Sequence, residues 1–326
     1  MLNTTVIIVT YSNRFHLLKR VIETCFKERV SKVVVVDNNS ENESKVLLQN
    51  FQTKYSPNLH VIWNTVNEGS AKAFKIGLKY VFQKSEHEYI WLLDDDNEPE
   101  EGALENIHSY WVRKDNETAC LLSYRPDRYQ YKTAILSENP NLVLSKPNSF
   151  YGFSLMEKLK KPFKKRESLN SKITSGRIAY APYGGMFFHK SLINDIGFPD
   201  EEFYLYSDDH DWSYRITKMS KKIILLLNSK VRDIDKSWSV NSTSQTVFQT
   251  ISKGSRFRIY YTIRNRMIFE KRYLTKNSAV YSINLAIFTF ILFFNCGLSQ
   301  NFKIFLLAIK HAKTNNLGKT FEGSLN

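Results

Sequence analysis

Cysteine is almost missing from this chain. Cys25, Cys120 and Cys296 are the three in 326 residues, widely spaced and with no CxxC pair. That spacing argues against a disulfide framework and a zinc site, and fits a reducing cytoplasm. Glycine is sparse at 12 residues and no GxGxxG occurs, which counts against a dinucleotide enzyme. Acidic residues are outnumbered: 32 Asp and Glu face 46 Lys and Arg, a formal charge of +14. An excess of this size points to a polyanionic partner, with phosphorylated substrates, anionic lipid and nucleic acid as the classes to weigh. The first residues (MLNTTVIIVTYSNR) have no basic n-region and a run of only four apolar residues, so they read as a first strand and not as a signal peptide. No internal repeat or low-complexity segment is present. What the chain does have is 42% hydrophobic and 14% aromatic residues, the make-up of a globular protein, and a length that allows one large domain or one domain with an appendage.

Against the basic background stand two acidic clusters. Asp94-Asp95-Asp96 follows the apolar run Ile90–Leu93, and Asp208-Asp209-His210-Asp211 follows Phe203–Tyr206. Like charges packed together are unfavourable unless a cation or a proton offsets them. Mg²⁺ and Mn²⁺ are held by one or two carboxylates and take phosphate oxygens as further ligands, so a DxD pair, Asp94 and Asp96, suits such an ion. The plain alternative is a helix N-cap ahead of Pro99-Glu100, but a cap uses one Asp and not three. In the second cluster, neighbouring acids raise the proton affinity of a carboxylate, as a general base requires, and Asp209 is the expected base. Favourable interaction with a helix N-terminus is the alternative for any one of these acids. His210 reads as a spacer, with base or metal ligand as the sharper options.

The first ~125 residues alternate strand and helix by the period of their apolar positions. Strands are expected at Thr5–Thr10, Lys32–Val36, Leu59–Trp63 and Tyr89–Leu93. Helices are expected from Phe15 through Cys25, over Glu43–Phe51 and over Ser70–Phe82. That alternation implies a doubly wound, mostly parallel α/β sheet, whose ligands bind at the carboxyl ends of the strands. Tyr11, Asp37, Asn64–Gly69 and Asp94–Asp96 all fall at such ends. The loop Asn64–Gly69 running into Ser70-Ala71-Lys72-Ala73 offers backbone amides and Lys72 to a diphosphate, with an ordinary helix start as the equal alternative. Gly184-Gly185 permits close approach of a ligand to the backbone, or simply turns the chain into a strand. Residues 126–180, broken by Pro126, Pro140, Pro147 and Pro162 and carrying the basic run Lys158–Lys172, read as a less regular insertion of substrate loops.

The ordered set Thr10-Tyr11-Ser12-Asn13-Arg14, Val36–Ser40, Asn67-Glu68-Gly69, Asp94-Asp95-Asp96, Gly184-Gly185 and Asp208-Asp209-His210-Asp211 resembles family 2 glycosyltransferases of the GT-A fold over about residues 4–240. Phe203–Asp211 is most similar to their bacterial galactofuranosyl- and rhamnosyltransferase-like branch. The resemblance implies inverting, metal-dependent transfer from a nucleoside-diphosphate sugar: UDP-galactofuranose, dTDP-rhamnose or a UDP-hexose. It implies that Thr10, Tyr11 and Arg14 line the nucleotide pocket and that Asp37 accepts from the base. Asn67 would approach the ribose or diphosphate, and Lys72, Asp95 and Gly185 would complete the donor site. Asp94 would orient the sugar or ribose and share a Mn²⁺ or Mg²⁺ with Asp96. Asp209, beside Asp208, would take the acceptor proton. Two departures stand out. Lys72-Ala73 replaces the glycine pair of many relatives, and Val231–Asp235 replaces a metal-binding His, leaving Asp233 as the substitute ligand.

After Asp235 the chain turns basic and aromatic, and Ala279–Leu298 is twenty residues without a charge. Asn284 and Asn295 inside it disfavour full insertion, so docking on the cytoplasmic face of a bacterial inner membrane with anionic lipid is the expectation. One spanning helix is the runner-up, and a hairpin buried against the catalytic domain or in a homodimer is the bland alternative. The expected division is 1–240 catalytic, with a nucleotide-sugar half to about 125 and an acceptor half beyond it, then 241–326 helical and apolar. The function that follows is building a cell-surface polysaccharide, O-antigen or capsule, on a lipid-linked acceptor, without nucleic acid. A nucleotidyltransferase would want a Gly-rich basic loop after strand one, which Tyr11–Arg14 is not. A catalytically inactive, basic membrane- or polyanion-binding protein of the same fold is the other alternative.

Overall fold

The computed structural model describes residues 2–160, 172–235 and 246–322. The centre of the basic run expected to carry substrate loops, residues 161–171, lies outside the described residues. The chain forms two compact units, one built from residues 2–143, 172–200 and 209–235, the other from 144–160, 201–208 and 246–322.

The first unit is the α/β body. Its elements are β1 (Thr4–Ser12), α1 (Phe15–Lys27), β2 (Lys32–Ser40), α2 (Asn42–Tyr55), β3 (Leu59–Trp63), α3 (Gly69–Lys84), β4 (Tyr89–Asp94), β5 (Asn97–Pro99), α4 (Ala103–Arg113), β6 (Thr118–Tyr124) and α5 (Tyr129–Leu136). The remaining sheet strands are β7 (Ser175–Ile178), β8 (Met186–His189) and β9 (Lys222–Asp233). The strands form one sheet in the order β3-β2-β1-β4-β8-β6-β9-β5, with β7 also on β9. Its β3-β2-β1-β4 part is entirely parallel, as the β-branched runs VIIV and VVVV predict for strands covered on both faces. Val6, Ile7, Ile8 and Val33–Val36 are fully buried. Each such side chain contributes about 1.5–3 kcal/mol.

The register sets the site. Val9 pairs with Val36 on one side and Asp94 on the other, and Thr10 pairs with Asp37. Thr10 and Asp37 therefore emerge at one level where the strands end, with Asp94 one residue short of it, level with Val9. Helix α3 packs close to this layer because Gly77 lacks a side chain; a Cβ there would sit 2.6 Å from Ile7 Cγ2. A glycine inside a helix costs about 1 kcal/mol of propensity, and close packing is its reason here. Strand β2 runs on through Asp37-Asn38-Asn39 to Ser40, where turn chemistry is expected from the sequence. Asp37 Oδ1 accepts the Ser40 amide at 2.6 Å, and Ser12 pairs with Ser40 beyond a register shift, so the turn is absorbed into the sheet.

Helix α6 (Leu155–Lys160) belongs to the second unit, whereas α7 (Leu192–Ile196) and all of α8 (Asp208–Lys218) but its first residue belong to the first. The second unit is otherwise helical, with α9 (Val247–Lys253), α10 (Arg256–Tyr273), α11 (Ser278–Cys296) and α12 (Gln300–Lys313). An aromatic cluster forms its core. Phe288 lies 5.1 Å from Phe150, 4.8 Å from Phe248 and 5.9 Å from Phe305, ring centre to ring centre. Asn284, which the sequence marks as a flaw in an apolar helix, is buried and donates to the Asn148 carbonyl at 2.8 Å.

Candidate active site

The acidic triplet divides by direction. Asp95 turns inward and is 3% exposed, where Arg14 Nε reaches both its oxygens at 3.0 Å and the Thr10 hydroxyl donates at 2.8 Å. Arg14 also bridges to Asp96 at 2.9 Å and to Asp235 at 2.6 Å, and its guanidinium lies over the Tyr11 ring. Thr10, Tyr11, Arg14 and Asp95, all expected at the nucleotide, thus form one ion-paired knot beneath the strand ends.

Asp94 and Asp96 flank a second assembly with Asp233, in which Asn97 and Arg125 were not expected from the sequence. Asn97, fully buried, donates its amide to Asp96 at 2.9 Å and to Asp233 at 2.7 Å. The antiparallel pairing of β5 with β9 sets Asn97 opposite Asp233 and so makes this contact. Arg125, next after β6, pairs with Asp233 and lies 3.6 Å from Asp94. An arginine shortly after the short apolar run Ala119–Leu122, before Pro126-Asp127, was the signal available. Burial pushes Asp94 and Asp96 up to about 6. Arg125 opposes this at Asp94, whereas at Asp96 the neighbouring Asp94 and Asp233 reinforce it. Burial also raises Asp233, against the pull of Arg125.

Gly184 is the residue that keeps this assembly open. A Cβ there would sit 1.9 Å from Asn97 Oδ1, 2.8 Å from Arg125 Nη1 and 3.0 Å from Asp94 Oδ2. Gly185, the expected ligand-facing glycine, instead serves the sheet: its N–H donates to Leu92 and its carbonyl accepts from Ser123. It does so at φ +98°.

Helix α8 presents the second acidic run at its first turn. Burial raises Asp209 to about 6, opposed by the His210 amide and by Arg128 and Arg125. The charge of Asp209 contributes to the raised proton affinity of Asp94, which puts the two carboxylates within electrostatic reach. Asp208 is buried at the helix start, and Asp211 is consumed by an ion pair with Arg215 at 2.7 Å. The His210 ring packs on Tyr180 at 4.0 Å.

Asp37 is fully buried. Its Oδ1 is taken by Ser40, while Oδ2 has no hydrogen-bond partner among the described residues. Asn67 spends its carbonyl on the Gly69 amide and on Asn38, so it shapes the loop into α3. Lys72 pairs with Glu68 at 3.0 Å.

Among the described residues no three His, Cys, Asp or Glu side chains form a ready metal cage. The donor set still suits a hard dication. Mg²⁺ or Mn²⁺ needs one or two carboxylates with phosphate oxygens supplying the rest, and Asp96 and Asp233 already converge on one hydrogen-bond donor.

The family model for Glycosyl transferase family 2 matches residues 5–197, more than half of the chain, and the protein belongs to that family. An uncharacterized protein of Methanocaldococcus jannaschii is 36% identical over 90 residues, 28% of this chain and 38% of its own. The dTDP-rhamnosyl transferase RfbF of Shigella flexneri is 24% identical over 272 residues, 83% of this chain and 80% of its own. The solved mannosyltransferase PcManGT from Pyrobaculum calidifontis, in complex with GDP-Man and Mn²⁺, superposes with a TM-score of 0.53 at 14% identity, covering 99% of this chain and 76% of that one. That likeness is one of fold, the GT-A arrangement expected from the ordered motifs.

Proposed function

We propose that this protein is an inverting glycosyltransferase that moves a sugar from a nucleoside diphosphate to a lipid-linked glycan of a bacterial surface polysaccharide, O-antigen or capsule. The observation that carries the reading is Asp37 Oδ2, buried near the carboxyl end of β2 and without a hydrogen-bond partner among the described residues. A buried acceptor without a donor costs about 1–3 kcal/mol, and the imino N–H of uracil or thymine would satisfy it. The rhamnosyl relative supports dTDP-rhamnose as the donor, with UDP-galactofuranose and UDP-hexoses as the competing choices.

In this reading Asp209 takes the proton of the acceptor hydroxyl, whose oxygen attacks C1 as the C1–O bond to the diphosphate breaks. The electron pair of that bond leaves on the diphosphate. Asp96, Asp94 and Asp233 would hold Mn²⁺ or Mg²⁺, which neutralises charge on the departing group. Arg125 and Asn97 keep these carboxylates spaced and oriented, and Arg14 keeps Asp95 out of the ligand set. The test is release of nucleoside diphosphate from a panel of sugar nucleotides, with Mn²⁺ or with chelator, using membrane lipid extract as acceptor. Turnover of one donor, lost with chelator and lost by about 10²-fold or more in Asp96→Ala, is the expected result. Equal turnover in chelator would remove the metal from the reading, and no turnover of any donor would favour a surface-binding protein.

We also place the second unit on an anionic membrane surface. Helix α11 has a mean hydropathy of 1.8, yet only 28% of its most apolar window is buried. Ile283, Phe290 and Phe294 form an outward stripe at helical spacing and are 54%, 63% and 70% exposed. A groove of about 510 Å³ between α11 and α12 ends at Lys313. Asn284 faces protein, so the helix has one lipid-facing side and lies on the bilayer. The double substitution Phe290→Ser, Phe294→Ser is expected to cut flotation with phosphatidylglycerol vesicles about tenfold or more. Undiminished flotation would overturn the placement.

A further inference from the structure

Arg264 and Asn265 stand in the middle of α10 and are both fully buried. A charged and an amide side chain in such a position need partners, and theirs are unusual. The single Asn265 amide nitrogen lies 2.7 Å from the Phe203 carbonyl, 2.6 Å from that of Leu205 and 3.0 Å from that of Tyr206. Its two hydrogens are shared among three acceptors of one short turn. Arg264 Nη2 adds a bond to the Phe203 carbonyl at 3.0 Å, and its Nε holds the Asn265 carbonyl at 2.8 Å, fixing which way the amide points.

The turn so held is strained. Tyr204, Tyr206 and Ser207 adopt φ of 62°, 66° and 61°, the left-handed region that glycine favours and that tyrosine rarely enters. Strain of this kind persists only where the surroundings over-determine the backbone. Here the surroundings are identifiable: the Asn265 amide, the Arg264 guanidinium, and the Tyr261 ring 5.0 Å from Tyr204. Arg264 is itself locked, lying over the Tyr261 ring at 4.8 Å and donating to Gly318 and Thr320. The residue after Ser207 is Asp208, the first of α8, and Asp209 follows it.

We propose that Asn265, oriented by Arg264, is a positioning residue for the base: it fixes the strained turn Phe203–Ser207 and thereby the direction from which the chain delivers Asp208 and Asp209. The proposal rests on the reading of Asp209 as general base. A side chain far along the chain from the nucleotide-binding strands would then control the rate of proton removal without touching the donor. The strain has a use in this account. Two tyrosines and a serine in left-handed conformation allow the chain to reverse just ahead of the helix, and the amide supplies what glycine would otherwise have to.

The experiment compares full-length wild type with Asn265→Ala, Asn265→Ser and Asp209→Asn. Asn265→Ala is expected to lower kcat about a hundredfold while the affinity for nucleoside diphosphate, measured by calorimetry, changes by less than about twofold. Its acidic limb in the kcat–pH profile should move to lower pH, because a loosened first turn of α8 exposes Asp209 to water. Asn265→Ser keeps one donor on a shorter side chain and should fall between. Hydrogen exchange of the amides of residues 203–209 should quicken in the alanine variant, a readout that needs no turnover. A folded Asn265→Ala with unchanged kcat, limb and exchange would overturn the proposal, as would a lower kcat with an unmoved limb. If Asn265→Ala fails to fold, the serine variant decides by the same readouts. Full activity of Asp209→Asn would instead sink the base assignment, whatever Asn265 does.

Discussion

Asp209→Asn is expected to lower kcat by about 10²–10⁴-fold while nucleoside diphosphate still binds, because the amide can accept neither proton nor charge in the step. The wild-type rate should follow the ionisation of the same carboxylate. Burial raises Asp209 to about 6 against the pull of the His210 amide, Arg128 and Arg125. A base works in its deprotonated form, so kcat climbs as pH rises through about 6 and levels above it. Below that point it falls about tenfold per pH unit. Asp211→Asn is the control within the same helix. Its carboxylate is committed to Arg215 at 2.7 Å, so the substitution should lower thermal stability and leave the acidic limb in place. Retention of rate in Asp209→Asn would shift the role to a neighbour, and His210, packed on Tyr180, would be the next residue to replace.

Gly184→Ala should be nearly as damaging, for a steric reason. The added methyl would stand 1.9 Å from Asn97 Oδ1, far inside contact distance. Asn97 cannot retreat freely, since its amide is held by both Asp96 and Asp233 and it is fully buried. Either Asn97 lets go of the two carboxylates or the Gly184 loop shifts, and both disturb Asp94, Asp96 and Arg125. A displacement of about 1 Å near reacting groups costs roughly a hundredfold in kcat/KM, and overpacking costs about 1–3 kcal/mol in unfolding free energy. A double-mutant cycle tests the cause. In an Asn97→Ala background the worst clash is gone and Arg125 Nη1 at 2.8 Å is the remaining one inside 3 Å, so Gly184→Ala should then cost clearly less stability than in the wild type. Additive losses would mean that Asn97 is not the obstacle. Gly185→Ala differs in kind, since its φ of +98° is strained for any side chain.

Much of the donor side is legible in the sequence because it is local. A β-branched run long enough to be buried on both faces, followed by a helix with an apolar stripe, specifies parallel strands. Their carboxyl ends then carry whatever residue comes next. Thr10, Asp37 and Asp94 needed nothing more, and the register sets Thr10 level with Asp37 and Asp94 one residue short of them. The apolar segment near residue 290 is equally plain, since hydropathy is additive along a helix.

Roles within the clusters are a different matter. The triplet Asp94–Asp96 is one word in the sequence, but Arg14 takes Asp95 inward while Asn97 and Arg125 gather Asp94, Asp96 and Asp233. Lys72 and Asn67, chosen for a diphosphate, are engaged in their own loop. The glycine facing the carboxylates is Gly184, one place from the residue expected. By itself the sequence determined the alternating fold, the strand ends where chemistry collects, and the acidic residues available there. Only the tertiary structure decided which carboxylate meets which cation. Asn97 and Asp233 are 136 residues apart and meet through the antiparallel pairing of β5 with β9. Periodicity reports which face of an element is buried. Charge pairing and close packing depend on the register between elements distant in the chain, which no local pattern encodes.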